Sequence, residues 1–92
     1  MEHLSLHKTH PDIIKRLKRI EGHLRAIVEM IEGDRSCLDI AQQMHAVEKA
    51  VAAAKKELIH DHIDHCLEQT GDSDIESAGR AISEFKEITK YL

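Results

Sequence analysis

Between Gly33 and Gly71 the chain contains neither glycine nor proline. With Ser36 as a helix N-cap, nothing interrupts an α-helix until Gly71. Such a helix runs about 34 residues and, at 1.5 Å per residue, about 50 Å. That is unusually long for a chain of 92 residues, and it points to a bundle or coiled-coil arrangement rather than an ordinary globular domain. Within the stretch, Ile40, Met44, Val47, Val51, Ala54 and Leu58 recur at alternating steps of four and three, the spacing of an apolar seam along one helix face. Ile13, Leu17, Ile20, Leu24, Ile27 and Ile31 repeat the pattern upstream. They predict a first helix from about Pro11 to Glu32, closed by Gly33.

The caps agree with these boundaries. Thr9 with Asp12, Ser36 with Asp39, and Ser73 with Glu76 each have the spacing of a capping box. The last pair follows a turn at Gly71–Ser73 and opens a short third helix. Its apolar side, formed by Ile75, Ala78, Ile82, Phe85, Thr89 and Leu92, is expected to cover the bundle. Only Phe85 and Tyr91 are aromatic although 41% of the chain is hydrophobic. A domain this small buries a modest fraction of its surface. The expectation is an all-α protein, a single domain over residues 1–92 with residues 1–10 as a flexible tail, enlarging its core by forming at least a dimer.

No stretch approaches the length of a membrane span, and the N-terminal MEHLSLHKTHPD has no apolar run like that of a signal peptide. The expected compartment is the cytosol, where Cys37 and Cys66 stay reduced. They read as ligands or reactive thiols, and eight histidines beside them favour metal. His62 and Cys66 are four apart on one helix face and can chelate one ion. Cys37 lies 25 positions before His62 in the same uninterrupted stretch, about 37 Å along a helix axis, whereas metal–ligand bonds are only about 2.0–2.3 Å. One chain cannot close that site. Two long helices packed antiparallel bring Cys37 of one chain to His62 and Cys66 of the other, and two-fold symmetry makes two equivalent sites. The blander alternative is that both cysteines are small buried hydrophobes and His62 a satisfied polar residue. His65 is a further possible ligand beside this set. His3, His7 and His10 form a loose N-terminal cluster that could add an imidazole. His23 and His45 receive no role.

The net charge of −4 conceals an asymmetry. Lys8, Lys15, Arg16, Lys18, Arg19 and Arg25 face only Asp12 and Glu21, whereas Glu57 to Glu76 contains seven acids and no lysine or arginine. Overall acidity opposes indiscriminate coating of nucleic acid but permits a local basic face. There is no glycine-rich phosphate loop, nucleophile motif or carboxylate pair serving a cleft, so catalysis is not expected.

With these residues assembled, the chain resembles the CsoR/RcnR family of metal-responsive repressors over nearly its full length. The resemblance is carried by KRLKRIEG, the lone Cys37 after a glycine-containing break, QQMHAVEKAV, and HDHIDHC ending in Cys66. The spacing Cys37, His62, Cys66 equals the Cys-His-Cys pattern of the copper-sensing branch. The resemblance implies a three-helix protomer, an antiparallel four-helix dimer core, and a tetramer formed as a dimer of dimers. It further implies an apo-protein that binds operator DNA and leaves it on binding its effector, derepressing efflux genes. DNA contact would fall to Arg16 and Lys56, supported by Lys15, Arg19 and Lys55. These would mostly neutralise phosphates, with duplex shape read in place of a base code.

The resemblance divides over the metal. Copper sensors of the family usually carry Tyr before the first Cys, where this chain has Ser36. Their supporting Glu in the last helix corresponds to Glu84 if the turn before it is lengthened. Nickel/cobalt sensors recruit an N-terminal His, whose place is Ser5, flanked by His3 and His7. EFKEITKYL and HDHIDHC resemble the nickel- and cobalt-responsive, DmeR-like members, placing Ni(II)/Co(II) ahead of Cu(I) as expected effector. Two other branches fit less well. Formaldehyde sensors use an N-terminal Pro amine, but residue 2 is Glu; persulfide sensors lack the His, but His62 is present. A cytosolic metal-buffering bundle with no DNA role is the alternative of another class.

Overall fold

The computed structural model describes residues 9–70 and 75–92, the side chains of 66–70 and 77 excepted. Three α-helices account for nearly all of them: α1 (His10–Glu32), α2 (Cys37–Thr70) and α3 (Ile75–Ile88), with a closing 3-10 turn at Thr89–Tyr91. No strand occurs among the described residues. The long helix is therefore unbroken over 34 residues, as its lack of breakers required.

Its start is set by Ser36, whose Oγ accepts a hydrogen bond from the Asp39 backbone N–H at 3.1 Å. That bond satisfies one of the amides left without a helical partner at an N-terminus. Thr9 precedes α1 in the equivalent place but does not do the same work, because its Oγ1 is buried with no hydrogen-bond partner among the described residues. A capping hydroxyl bonds the second or third helical amide, and in a helix beginning at His10 the second is Pro11, which has none. The turn at Gly71–Ser73 and the Ser73 cap lie outside the described residues.

α1 ends at Glu32 with Gly33 next, as its sequence predicts. Gly33 is present, but the left-handed residue is Asp34, with φ 57°. Arg35 N–H donates to the Met30 carbonyl at 3.0 Å and Asp34 N–H to that of Ile31 at 3.2 Å, the paired bonds of a Schellman closure. Gly33 is the cap itself, where a Cβ would approach the Glu29 carbonyl oxygen to 3.2 Å. A left-handed conformation costs an L-residue about 1–2 kcal/mol, with Asn and Asp the best tolerated. Asp34→Gly is therefore expected to raise stability by up to about 1 kcal/mol, and Asp34→Val to lower it. Thermal unfolding followed by circular dichroism checks both.

The chain forms two compact units, Pro11–Lys55 and Lys56–Leu92, with Thr9 and His10 belonging to the second. In the first, Ile20 and Ile27 of α1 and Val47 of α2 make the core, with Ile40 and Ala50 packed against it. Ile13 and Ala54 are buried as well. Apart from Ala50, these are alternate members of the two seams. Their intervening members, Leu17, Leu24 and Ile31 on α1 and Met44, Val51 and Leu58 on α2, are exposed; Leu24 is 48% accessible where Ile27 is 4%. In the second unit Ile59 and Ala81 are buried. The face of α3 that packs is centred on Ala81, flanked by half-buried Ala78 and Ile88. The expected face is corrected accordingly: Thr89 is half-buried, but Ile75, Ile82, Phe85 and Leu92 are exposed.

Candidate metal centre and nucleic-acid face

Cys37 is the first residue of α2, directly after the Ser36 cap, and its thiol is free and exposed. His62 lies near the other end of the same helix, with its side chain 23% accessible and its Nε2 3.6 Å from Glu84 Oε2 of α3. The structure thus brings His62 and Glu84 together. A carboxylate beside an imidazole can hold the ring in one orientation and tautomer, a support that metal-binding histidines commonly have. Cys66 is in α2 one turn beyond His62, but its side chain lies outside the described residues, as do His3 and His7.

His65 is half-buried, with its Nδ1 inside. One turn earlier Asp61, only 11% accessible, approaches His10 Nε2 at 3.7 Å, so the first residue of α1 meets the ligand-bearing segment of α2. His45 makes an exposed 3.7 Å contact with Glu48. Among the described residues, no group of three or more His, Cys, Asp or Glu side chains is gathered to hold a metal. A thiol and an imidazole are nonetheless the donor chemistry that soft and borderline transition metals take.

Lys15, Arg16, Arg19, Lys55 and Lys56 are all exposed. Arg16 and Arg19 share a concavity in the first unit with Ile20, His23 and Ala50. His23 is fixed by a 2.7 Å hydrogen bond between its Nε2 and Gln43 Oε1 across the α1–α2 pair. Sequence reasoning passed over His23. The available signal was its spacing of four from Arg19 and seven from Arg16, which puts all three on one helix face.

A free thiol at one end of a long helix, an imidazole braced at the other and a basic α1 are the parts of a helical metal sensor that meets DNA. The chain belongs to the family of metal-sensitive transcriptional repressors, whose model matches residues 9–91. It is 38% identical over 96 residues to the copper-sensing transcriptional repressor CsoR of Bacillus subtilis (strain 168), covering 97% of this chain and 94% of that protein. A shorter match, 42% over 53 residues, is to the copper-sensing transcriptional repressor RicR of Mycobacterium tuberculosis, covering 58% of this chain and 55% of that one. Among solved structures, the nickel-responsive transcriptional regulator InrS superposes with a TM-score of 0.78 at 27% identity, over 92% of this chain and 93% of that one. The family is one of transcriptional repressors, not enzymes. No described helix is long and apolar enough to cross a membrane.

Proposed function

We propose that the chain is a cytosolic repressor whose apo-form holds operator DNA and lets go when Ni(II) or Co(II) binds between subunits at Cys37, His62 and Cys66. The observation that carries this reading is the continuity of α2. Cys37 and His62 stand 25 positions apart in one unbroken helix, about 37 Å of axial rise, so a site using both needs two chains. The stripes left exposed on α1 and α2 supply the surface for an antiparallel dimer, and a dimer of dimers completes the assembly. Glu84 holds His62 in orientation, and His65, His3 and His7 are the candidates to complete the higher coordination that nickel and cobalt favour. Lys15, Arg16, Arg19, Lys55 and Lys56 neutralise backbone phosphates.

Likeness to InrS and the absence of a Tyr before Cys37 support nickel or cobalt. Near-full-length identity to a copper-sensing relative favours Cu(I) as the second reading, since two thiolates and an imidazole also suit that ion. Metal competition with absorption spectra separates them: six-coordinate Ni(II) or Co(II) bands support the first, and a three-coordinate Cu(I) site indifferent to His3 and His7 supports the second.

The repressor reading is tested with apo-protein and promoter duplex at graded salt. Affinity should fall steeply with salt and drop about 5–150-fold on adding the effector. Arg16→Ala should flatten the log–log salt slope by about one. No salt-sensitive binding by apo-protein at low ionic strength would leave the metal-buffering alternative in its place.

A further inference from the structure

The concavity on α1 has features that its two arginines alone do not require. Arg16, Arg19 and His23 line it from successive turns of one helix, over a floor of buried Ile20, with Ala50 of α2 as the opposite wall. Its volume is about 330 Å³. Arg19 makes no ion pair among the described residues. His23 is half-buried and turned by its 2.7 Å bond to Gln43, so its ring is fixed before any ligand arrives. Two guanidinium groups and an oriented imidazole around one hollow make a site for a tetrahedral oxyanion, because charge-assisted bonds from a fixed fork are strong and directional.

We infer that Arg16, Arg19 and His23 form a pocket for one backbone phosphate of the bound duplex, with Gln43 as the residue that positions His23. The inference rests on the repressor reading and deepens it. The phosphodiester group enters the hollow, Arg16 and Arg19 neutralise it, and His23 fixes its depth and angle as the doubly protonated ring, giving Nε2–H to Gln43 Oε1 and Nδ1–H to the phosphate. One anchored phosphate on each chain sets where the duplex lies on the assembly, a register contact that carries no base information itself.

The test uses full-length apo-protein and a duplex spanning the promoter in front of its own gene, with fluorescence anisotropy at several salt concentrations. His23→Ala should weaken binding about tenfold, as expected for loss of a hydrogen bond to a charged group. His23→Gln, which keeps a donor, should recover most of that loss, and Gln43→Ala should fall between. Metal affinity should be the same in all three variants. Inorganic phosphate, added without DNA, should shift the imidazole resonances of His23 in wild-type protein and not in the Arg16→Gln, Arg19→Gln double variant. A purely structural role for His23 would not produce that response.

Wild-type affinity in His23→Ala overturns the pocket while leaving the repressor reading intact, even if inorganic phosphate still reaches His23. Failure of wild-type protein to bind any duplex at low salt overturns both.

Discussion

Cys37→Ala and His62→Ala, prepared as separate proteins, are each expected to lose more than about a hundredfold in effector affinity, beyond the upper range for removing a mere supporting partner. Refolded together as a one-to-one mixture, they should recover about one quarter of the wild-type sites. Half of the dimers are then mixed. In a mixed dimer, two-fold symmetry puts both lesions in one site and leaves the other whole. A site contained within a single chain gives no recovery at all. Isothermal titration of the mixture against each parent reads the outcome directly, and zero recovery sinks the bridged site. Continuity of α2 makes the experiment decisive, because Cys37 and His62 belong to one unbroken helix.

The second large effect concerns assembly. Leu24 is 48% exposed and Val51 43% exposed in the single chain, so glutamate at either place costs a lone protomer little. In the proposed dimer each is buried against its partner. Full burial of such a side chain is worth about 1.5–3 kcal/mol, of which the dimer supplies about half, and it contains two copies of each. A Leu24→Glu, Val51→Glu double variant should therefore loosen self-association by at least about a hundredfold. Helix content should survive while effector and DNA affinity are lost together. Sedimentation equilibrium with far-ultraviolet circular dichroism checks this. An intact oligomer in the double variant would move the interface elsewhere.

Much of the fold was legible because helix signals are local. The stretch without glycine or proline, the Ser36 cap and the four-three spacing each act within a few residues of themselves. The same spacing could not say which seam members a chain covers by itself. Ile13, Ile20 and Ile27 are buried while Leu17, Leu24 and Ile31 are not, and all six are equally apolar. That division depends on how neighbouring helices rotate. The closure at Asp34 was hidden because its left-handed residue is not the neighbouring glycine. On α3, spacing selected Ile82 and Phe85, whereas contact selected Ala81, whose small side chain permits close approach. At the candidate site, residue types and intervals singled out Cys37, His62 and Cys66. The approach of Glu84 to His62 was not readable from spacing, because it depends on the turn between α2 and α3. His23 was missed for a related reason: its partner Gln43 is on another helix.

The long helix has one more consequence, for how occupancy is counted. If its two ends contribute to different sites, each protomer is a link fastened at both ends, and no metal belongs to one subunit. The first ion to arrive removes what axial play the packed seam leaves between the two helices. The second site then no longer has to meet the entropic cost of aligning them. A half-filled dimer is accordingly scarce, and the response to rising metal is steeper than independent sites allow.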